Sequence, residues 1–319
     1  MRNFDKHFLK RTIVIPALVT MLACCGHVVA GDRSGTVSGQ FLKLPLDARA
    51  VGMGGAQVAI ADGVTSIGFN PAGITSISDY GAAVSYTSWF ANIQYSYFGF
   101  VKNISGLGEV GISAIGLTTD DMIETTPAAP EGTGRTFKAS DYAFSAVFAR
   151  QVTEQFSVGV NAKVVQSYLF NTELGASTFA VDIGTLYDIP QLRSRIGVSL
   201  TNIGKDMNFI QETYSLPTAL RFGVLIDMYK SESNSLQSTF QIVRINDADE
   251  QYNVGAEYMM NSVFAVRGGW KFSYDEENFT AGFGVKMHDI MGLNGGFDYG
   301  YNNFVDLPGT HSLTLEVQF

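Results

Sequence analysis

From Tyr80 to Phe319 the chain alternates apolar and polar residues in runs of about ten, each closed by a turn. In one late run Phe279, Ala281, Phe283, Val285 and Met287 share a face, and Thr280, Gly282, Gly284, Lys286 and His288 share the other. Phe264, Val266, Trp270 and Phe272 likewise oppose Arg267 and Lys271, and Leu220, Phe222, Val224 and Ile226 oppose Arg221 and Gly223. About fourteen such runs are predicted, at residues 80–89, 93–102, 108–118, 140–151, 155–167, 177–188, 194–203, 218–229, 235–245, 250–260, 262–273, 277–288, 290–301 and 309–319. Each is near the length a tilted strand needs to cross a bilayer, and the count is even, as bacterial single-chain barrels require. The pattern predicts an all-β fold, a transmembrane antiparallel β-barrel over residues 80–319 with a polar lumen and a lipid-facing wall. A soluble sandwich also alternates, but it seldom places so many Phe and Tyr on every strand of a low-charge chain.

The connections support the membrane reading. If Tyr80 starts at the periplasmic side, the connections facing outward include four long ones, Thr118 to Ser140, Ser167 to Ala176, Gly204 to Pro217 and Asn302 to Pro308. The turns at Thr153-Glu154, Gln191-Leu192, Asn261 and Asp289 are short. Long outer loops with short inner turns are the barrel habit. The chain stops on Phe319, after Leu313, Leu315 and Val317 alternate with Thr314, Glu316 and Gln318. A terminal Phe on an amphipathic strand resembles the signal by which the barrel assembly machinery takes up its clients.

One stretch escapes the pattern. Asp47 to Ile74 is small, glycine-dense and non-periodic, and within residues 31–79 it is predicted to form a plug in the lumen. Gly52, Gly54 and Gly55 allow positive φ or close backbone approach. Asn70-Pro71-Ala72-Gly73 reads as the start of a short helix, with Asn70 as N-cap and Pro71 at the first position. A dinucleotide fingerprint is excluded, because position 57 is Gln and neither a preceding apolar strand nor a βαβ pattern accompanies the glycines. The barrel size implied by about fourteen strands leaves room for such a plug, and the sparse charge of the stretch predicts an apolar pocket beside it.

Residues 1–30 read as an export signal: Arg2, Lys6, Lys10 and Arg11, an apolar core from Thr12 to Cys25, and Val28-Val29-Ala30 as cleavage site. Met21-Leu22-Ala23-Cys24 is a degenerate lipobox, so lipid modification at Cys24 stands beside cleavage after Ala30. Cys24 and Cys25 are the only cysteines, and a chain cut after Ala30 has no thiol chemistry. Charged residues make up 16% of the chain against roughly 25% in soluble proteins, aromatics reach 12%, and no apolar run after the signal is long enough for a membrane helix. With 21 basic and 30 acidic residues, nucleic acid is not an expected partner.

Chemistry-bearing residues are sparse, and no enzyme activity, metal or cofactor is expected. His288 and His311 lie at strand ends without nearby ligand partners, and His311-Ser312 point to opposite faces. Asp247, Asp249 and Glu250 read as a solvated acidic loop, lacking the spacing of a calcium loop. The plug and gating candidates are Arg49, expected to pair with lumen carboxylates, together with Gly52, Gly54, Gly55, Asn70 and Pro71.

The blocks Phe41-Leu42-Lys43-Leu44, Ala48-Arg49-Ala50-Val51-Gly52-Met53-Gly54-Gly55-Ala56, Val58-Ala59-Ile60-Ala61-Asp62 and Asn70-Pro71-Ala72-Gly73 occur in an order that resembles the N-terminal signature of the PorV/PorQ family, itself similar to FadL-type transporters. Gly63 departs from it, since such proteins usually carry a second acidic residue there. The resemblance implies a multi-pass barrel of the bacterial outer membrane that meets outer-membrane lipid. Two functions follow from it. One is a type IX secretion shuttle or anchor, with secreted proteins or secretion-system subunits as partners. The other is a FadL-like channel for fatty acids or another hydrophobic small molecule.

Overall fold

The computed structural model describes residues 35–170, 174–210, 212–290 and 293–319. The export signal and the alternatives at Ala30 and Cys24 lie outside the described residues. The first seven barrel strands are β1 (Tyr80–Ser88), β2 (Gln94–Ile104), β3 (Gly108–Thr118), β4 (Ser140–Thr153), β5 (Phe156–Phe170), β6 (Leu174–Ile189) and β7 (Ser194–Gly204). The second seven are β8 (Ala219–Lys230), β9 (Ser235–Ile245), β10 (Gln251–Met260), β11 (Phe264–Phe272), β12 (Glu277–Ile290), β13 (Leu293–Phe304) and β14 (Thr310–Gln318). Each pairs antiparallel with the next, and β14 returns to β1, giving a closed 14-stranded barrel. Closure leaves no strand edge to be satisfied in lipid.

The wall is turned inside out relative to a soluble protein. Val84, Phe98, Phe144, Phe179, Val266, Trp270, Phe283 and Leu315 are exposed on the outside. Asn161, Lys163, Asp182, Arg221, Gln241, Asn253, Glu257, Arg267 and Thr280 are buried toward the lumen. The alternation in sequence is therefore the alternation between lipid and lumen. No helix among the described residues is long and apolar enough to cross a membrane.

The end that carries the connections 119–139 and 205–218 is called the outer end below. Both connections hold a small hairpin, Met122–Ile123 with Thr136–Phe137 and Met207–Phe209 with Glu212–Tyr214. Residues 167–170 and 174–176, expected as parts of a loop, instead prolong the wall, and Phe170 still pairs with Leu174. Aromatic contacts carry that extension, since Phe137 stacks on Phe170 at 4.6 Å and Tyr142 meets Tyr168.

Phe319 sits at the seam where the barrel closes. Its N–H donates to the carbonyl of Tyr80 at 3.0 Å, it accepts from the Tyr80 N–H at 2.8 Å, and the two rings stack at 5.4 Å. Phe319→Ala keeps the backbone pair and removes the stack. We expect a loss of about 1 kcal/mol, read from the urea midpoint of the refolded barrel, the usual size of an aromatic pair beyond its area; an unchanged midpoint would refute a role at the seam.

Candidate functional site

Residues 40–76 fill the lumen. Val37 bridges Ser215 in the outer connection, and Lys43 pairs with Asp247 of the β9–β10 turn at 2.7 Å. The chain then passes down the lumen to Ile77, three residues before β1 begins. Its apolar side chains Phe41, Leu46, Val64, Ile67 and Ile74 pack on Tyr95, Tyr97, Val101, Ile115 and Val165 of the wall. Burying them on one side of the lumen supplies the hydrophobic contact that an isolated, helix-poor segment lacks.

Polar wall side chains satisfy the plug backbone where it has no regular partner. The helical turn α1 (Ala48–Gly52) starts at Asp47, whose carboxylate accepts from the Ala50 N–H at 2.6 Å. Burial pushes the Asp47 carboxyl above its ordinary range, opposed by that N–H. Ala48 N–H donates to Thr314 Oγ1 and Gly54 N–H to Thr280 Oγ1, both at 2.9 Å. Asn253 Nδ2 donates to the Gly54 carbonyl at 2.6 Å, and Gln241 Oε1 accepts from the N–H groups of Gln57 and Val58.

The backbone of the plug lies directly on four cross-strand glycine pairs. These are Gly159 with Gly184, Gly197 with Gly223, Gly255 with Gly269, and Gly282 with Gly300. A Cβ at Gly159 or Gly184 would fall within 3.0 Å of Asn70 or Pro71, at Gly197 or Gly223 of Val58, and at Gly255 or Gly269 of Met53 or Gly54. At Gly300 it would meet the Ala48 carbonyl at 2.5 Å, and at Gly282 the Gly52 Cα at 3.2 Å. At Gly159, Gly197, Gly255, Gly269 and Gly300 the atoms met are plug backbone, so a side chain there would lift the plug from the wall.

The predicted candidates all lie in the plug but against two stretches of the wall, Gly52, Gly54 and Gly55 on β10–β12 and Asn70 and Pro71 on β5 and β6. Gly52 rests on Gly282, and Gly54, at φ +69°, has no space for a Cβ against Val254 and Trp270. Gly55, at φ +74°, follows in the same turn. Asn70 Oδ1 accepts from Ala72 N–H at 3.2 Å, capping the short helix Pro71–Ser76, while its Nδ2 donates to the carbonyls of Val58 and Thr185. Arg49 makes two bonds of 3.0 Å to the Glu257 carboxylate and one of 2.6 Å to Asp62. Glu257 is shared with Arg267 at 2.6 Å, and Arg267 continues to Asp298 at 2.6 Å. Burial disfavours the Arg49 charge, but Asp62 and Glu257 outweigh it and hold its pKa above the ordinary value.

Two expectations are corrected. The cavity left beside the plug, about 330 Å³, is lined by Arg49, Asp62, Arg267, Lys286, Asp298 and Glu316 and is charged, because the apolar half of the lumen is already filled. Asp247 is buried against Lys43 rather than solvated. A wide cleft of about 700 Å³ lies at the outer end, where Val37, Leu169, Leu174, Phe209 and Ile210 stand beside Gln40, Asp141, Ser167 and Glu212. His311 lies on the lipid side, its Nδ1 2.7 Å from the Tyr299 hydroxyl. No group of three or more His, Cys, Asp or Glu suited to a metal occurs among the described residues.

Residues 29–248 match the family described as type IX secretion system protein PorV. The chain belongs to the PorV family. No curated protein matches it significantly. Among solved structures it is similar to the toluene transporter TodX of Pseudomonas putida, at 10% identity and a TM-score of 0.57 over 85% of this chain and 96% of that one. It is also similar to the toluene transporter TbuX of Ralstonia pickettii, at 12% identity and 0.57 over 86% and 98%. A FadL homologue of Pseudomonas aeruginosa aligns at 9% and 0.56 over 86% and 98%. At these identities the likeness is one of fold. The PorV-family barrel thus shares the FadL-like architecture.

The departure at Gly63 has a local cause. Gly63 lies at φ +75°, and a Cβ there would fall within 3.0 Å of the Glu316 carboxylate, which accepts from Val64 N–H. Gly63→Asp would set two carboxylates against each other in a conformation L-residues avoid, and we expect a loss of about 2–4 kcal/mol. Adding Glu316→Ala should restore part of the urea midpoint; no restoration would mean that backbone strain alone sets the cost.

Sequence reasoning found Arg49 but missed its wall partners and the glycine seats. Glu257 was legible only as a charge in a strand, the signal that also marked Arg267.

Proposed function

We propose that this protein is a non-enzymatic, multi-pass barrel of the bacterial outer membrane that serves type IX secretion as a shuttle or anchor for exported proteins. The observation that carries the reading is the family match over residues 29–248. The lumen is consistent with it, because a plug seated on glycine pairs around the wall and held by Arg49 suits a closed scaffold better than an open channel. The outer connections 119–139 and 205–218, each folded into a hairpin, supply the surface for secreted proteins or secretion-system subunits. Insertion would go through the barrel assembly machinery, with Phe319 as its signal.

A second reading, uptake of a hydrophobic small molecule, is favoured by the apolar side chains in the outer cleft and by the fold shared with hydrocarbon transporters. The two separate in one experiment, proteomic analysis of what co-purifies with the tagged chain from its own envelopes in mild detergent. Secreted proteins sharing a C-terminal sorting domain, or secretion-system subunits, are the expected result. Reproducible recovery of the folded barrel alone would overturn stable participation in such a complex and favour transport.

A further inference from the structure

Four cations are buried among the described residues: Lys163, Arg221, Arg267 and Lys271. Three of them have a carboxylate within 2.8 Å, namely Asp182, Glu257 and Glu277. Arg221 has none. The residue is 4% exposed, and its guanidinium makes one hydrogen bond among the described residues, from Nη1 to Thr201 Oγ1 at 2.8 Å. A guanidinium offers five N–H donors, so four have no acceptor among the described residues. The carboxylate whose field reaches it, Asp182, is already engaged by Lys163, by the side chain of Asn161 and by the N–H of Asn202. Lys163, Asp182 and Arg221 together leave one positive charge in the lumen without a counter-charge, an arrangement that costs several kcal/mol unless something neutralises it.

A second group lies on the same stretch of the wall. Ser199 lies directly across from Arg221 in the β7–β8 register, so both side chains face the lumen. Its hydroxyl, in a residue 1% exposed, has no hydrogen-bond partner. Free donors of a guanidinium beside an unpartnered hydroxyl form a donor set that matches a negative ion. Arg221 is also two residues along β8 from Gly223, the seat of Val58, so the site adjoins the plug.

We propose that the lumen holds a small monovalent anion between Arg221 and Ser199, which supplies the counter-charge that the wall omits and steadies the plug beside it. The chemistry fits a halide or the carboxylate of a very small acid. The test uses the purified full-length mature barrel in detergent, with sodium bromide, sodium acetate or sodium gluconate at one ionic strength. Bromide is expected to raise the melting midpoint saturably, by about 3 °C at ten times its half-saturating concentration, and to give an anomalous diffraction peak in contact with the guanidinium. Acetate acting in place of bromide, with matching density, would assign the site to carboxylates. Arg221→Met should abolish the shift. A midpoint in the wild type indifferent to both ions, with only water at Arg221, would overturn the proposal, as would an equal shift in Arg221→Met. If that variant does not fold, the wild-type diffraction decides alone.

Discussion

Gly269→Leu should unseat the plug, whereas Gly268→Leu, one residue away, should leave it in place. The two glycines are chemically identical and adjacent in β11, but the strand turns them to opposite faces. Gly268 faces outward, and a Cβ there meets nothing within 4 Å. Gly269 faces the lumen, where a Cβ would fall within 3.0 Å of the backbone of Met53 and Gly54. Backbone cannot swing aside as a side chain does, so the side chain introduced by Gly269→Leu must displace the plug, at more than the roughly 1–3 kcal/mol of ordinary overpacking. The loss extends to the bonds of Gly54 with Thr280 and Asn253. Trypsin cleavage at Lys43 and Arg49 in membrane-extracted protein reads both variants. Equal protection of the two would show that the plug is not seated on the wall.

That contrast also marks what the sequence can and cannot disclose. The period-two alternation of Phe279 to Met287 against Thr280 to His288 is local, and reading it requires no knowledge of the partner strand. It therefore yields the strands, their number and their lipid face, and closure follows once edges are forbidden in lipid. Asn70 and Pro71 were legible for the same reason, since a cap is made within a few residues. The seats were not. Gly184 or Gly223 in a strand reads as a weak position, and only the register that pairs it with Gly159 or Gly197 turns it into a platform. Asp247 was misread because its partner, Lys43, lies 204 residues away. The apolar pocket failed on volume, since the count of charges in Asp47 to Ile74 carries no information on how far Ile67 and Ile74 fill the lumen.

The second large effect is expected at Glu257. Five side chains alternate in sign across the plug and wall, Asp62, Arg49, Glu257, Arg267 and Asp298, and Glu257 is the one both arginines share. Glu257→Leu leaves the Arg267 guanidinium, 1% exposed, with Asp298 alone, and Arg49 with only the half-exposed Asp62. Removing one partner of a buried pair costs about 3–5 kcal/mol, while replacing both with apolar groups is often neutral. The double variant Glu257→Leu with Arg267→Met should therefore be more stable than Glu257→Leu alone, which an additive pair of losses would not allow. The cost should fall first on the plug, whose tie to β10 runs through Arg49, rather than on the hydrogen-bonded wall. Trypsin reads this directly, because Lys43 and Arg49 are the cleavable residues of the segment 40–76. In the wild type both should resist cleavage. In Glu257→Leu they should be cut while the barrel keeps its heat-modifiable migration. Protection equal to the wild type would mean that the glycine seats and the apolar contacts hold the plug without the charge network, and Arg49 would then be a passenger of the fold rather than its latch.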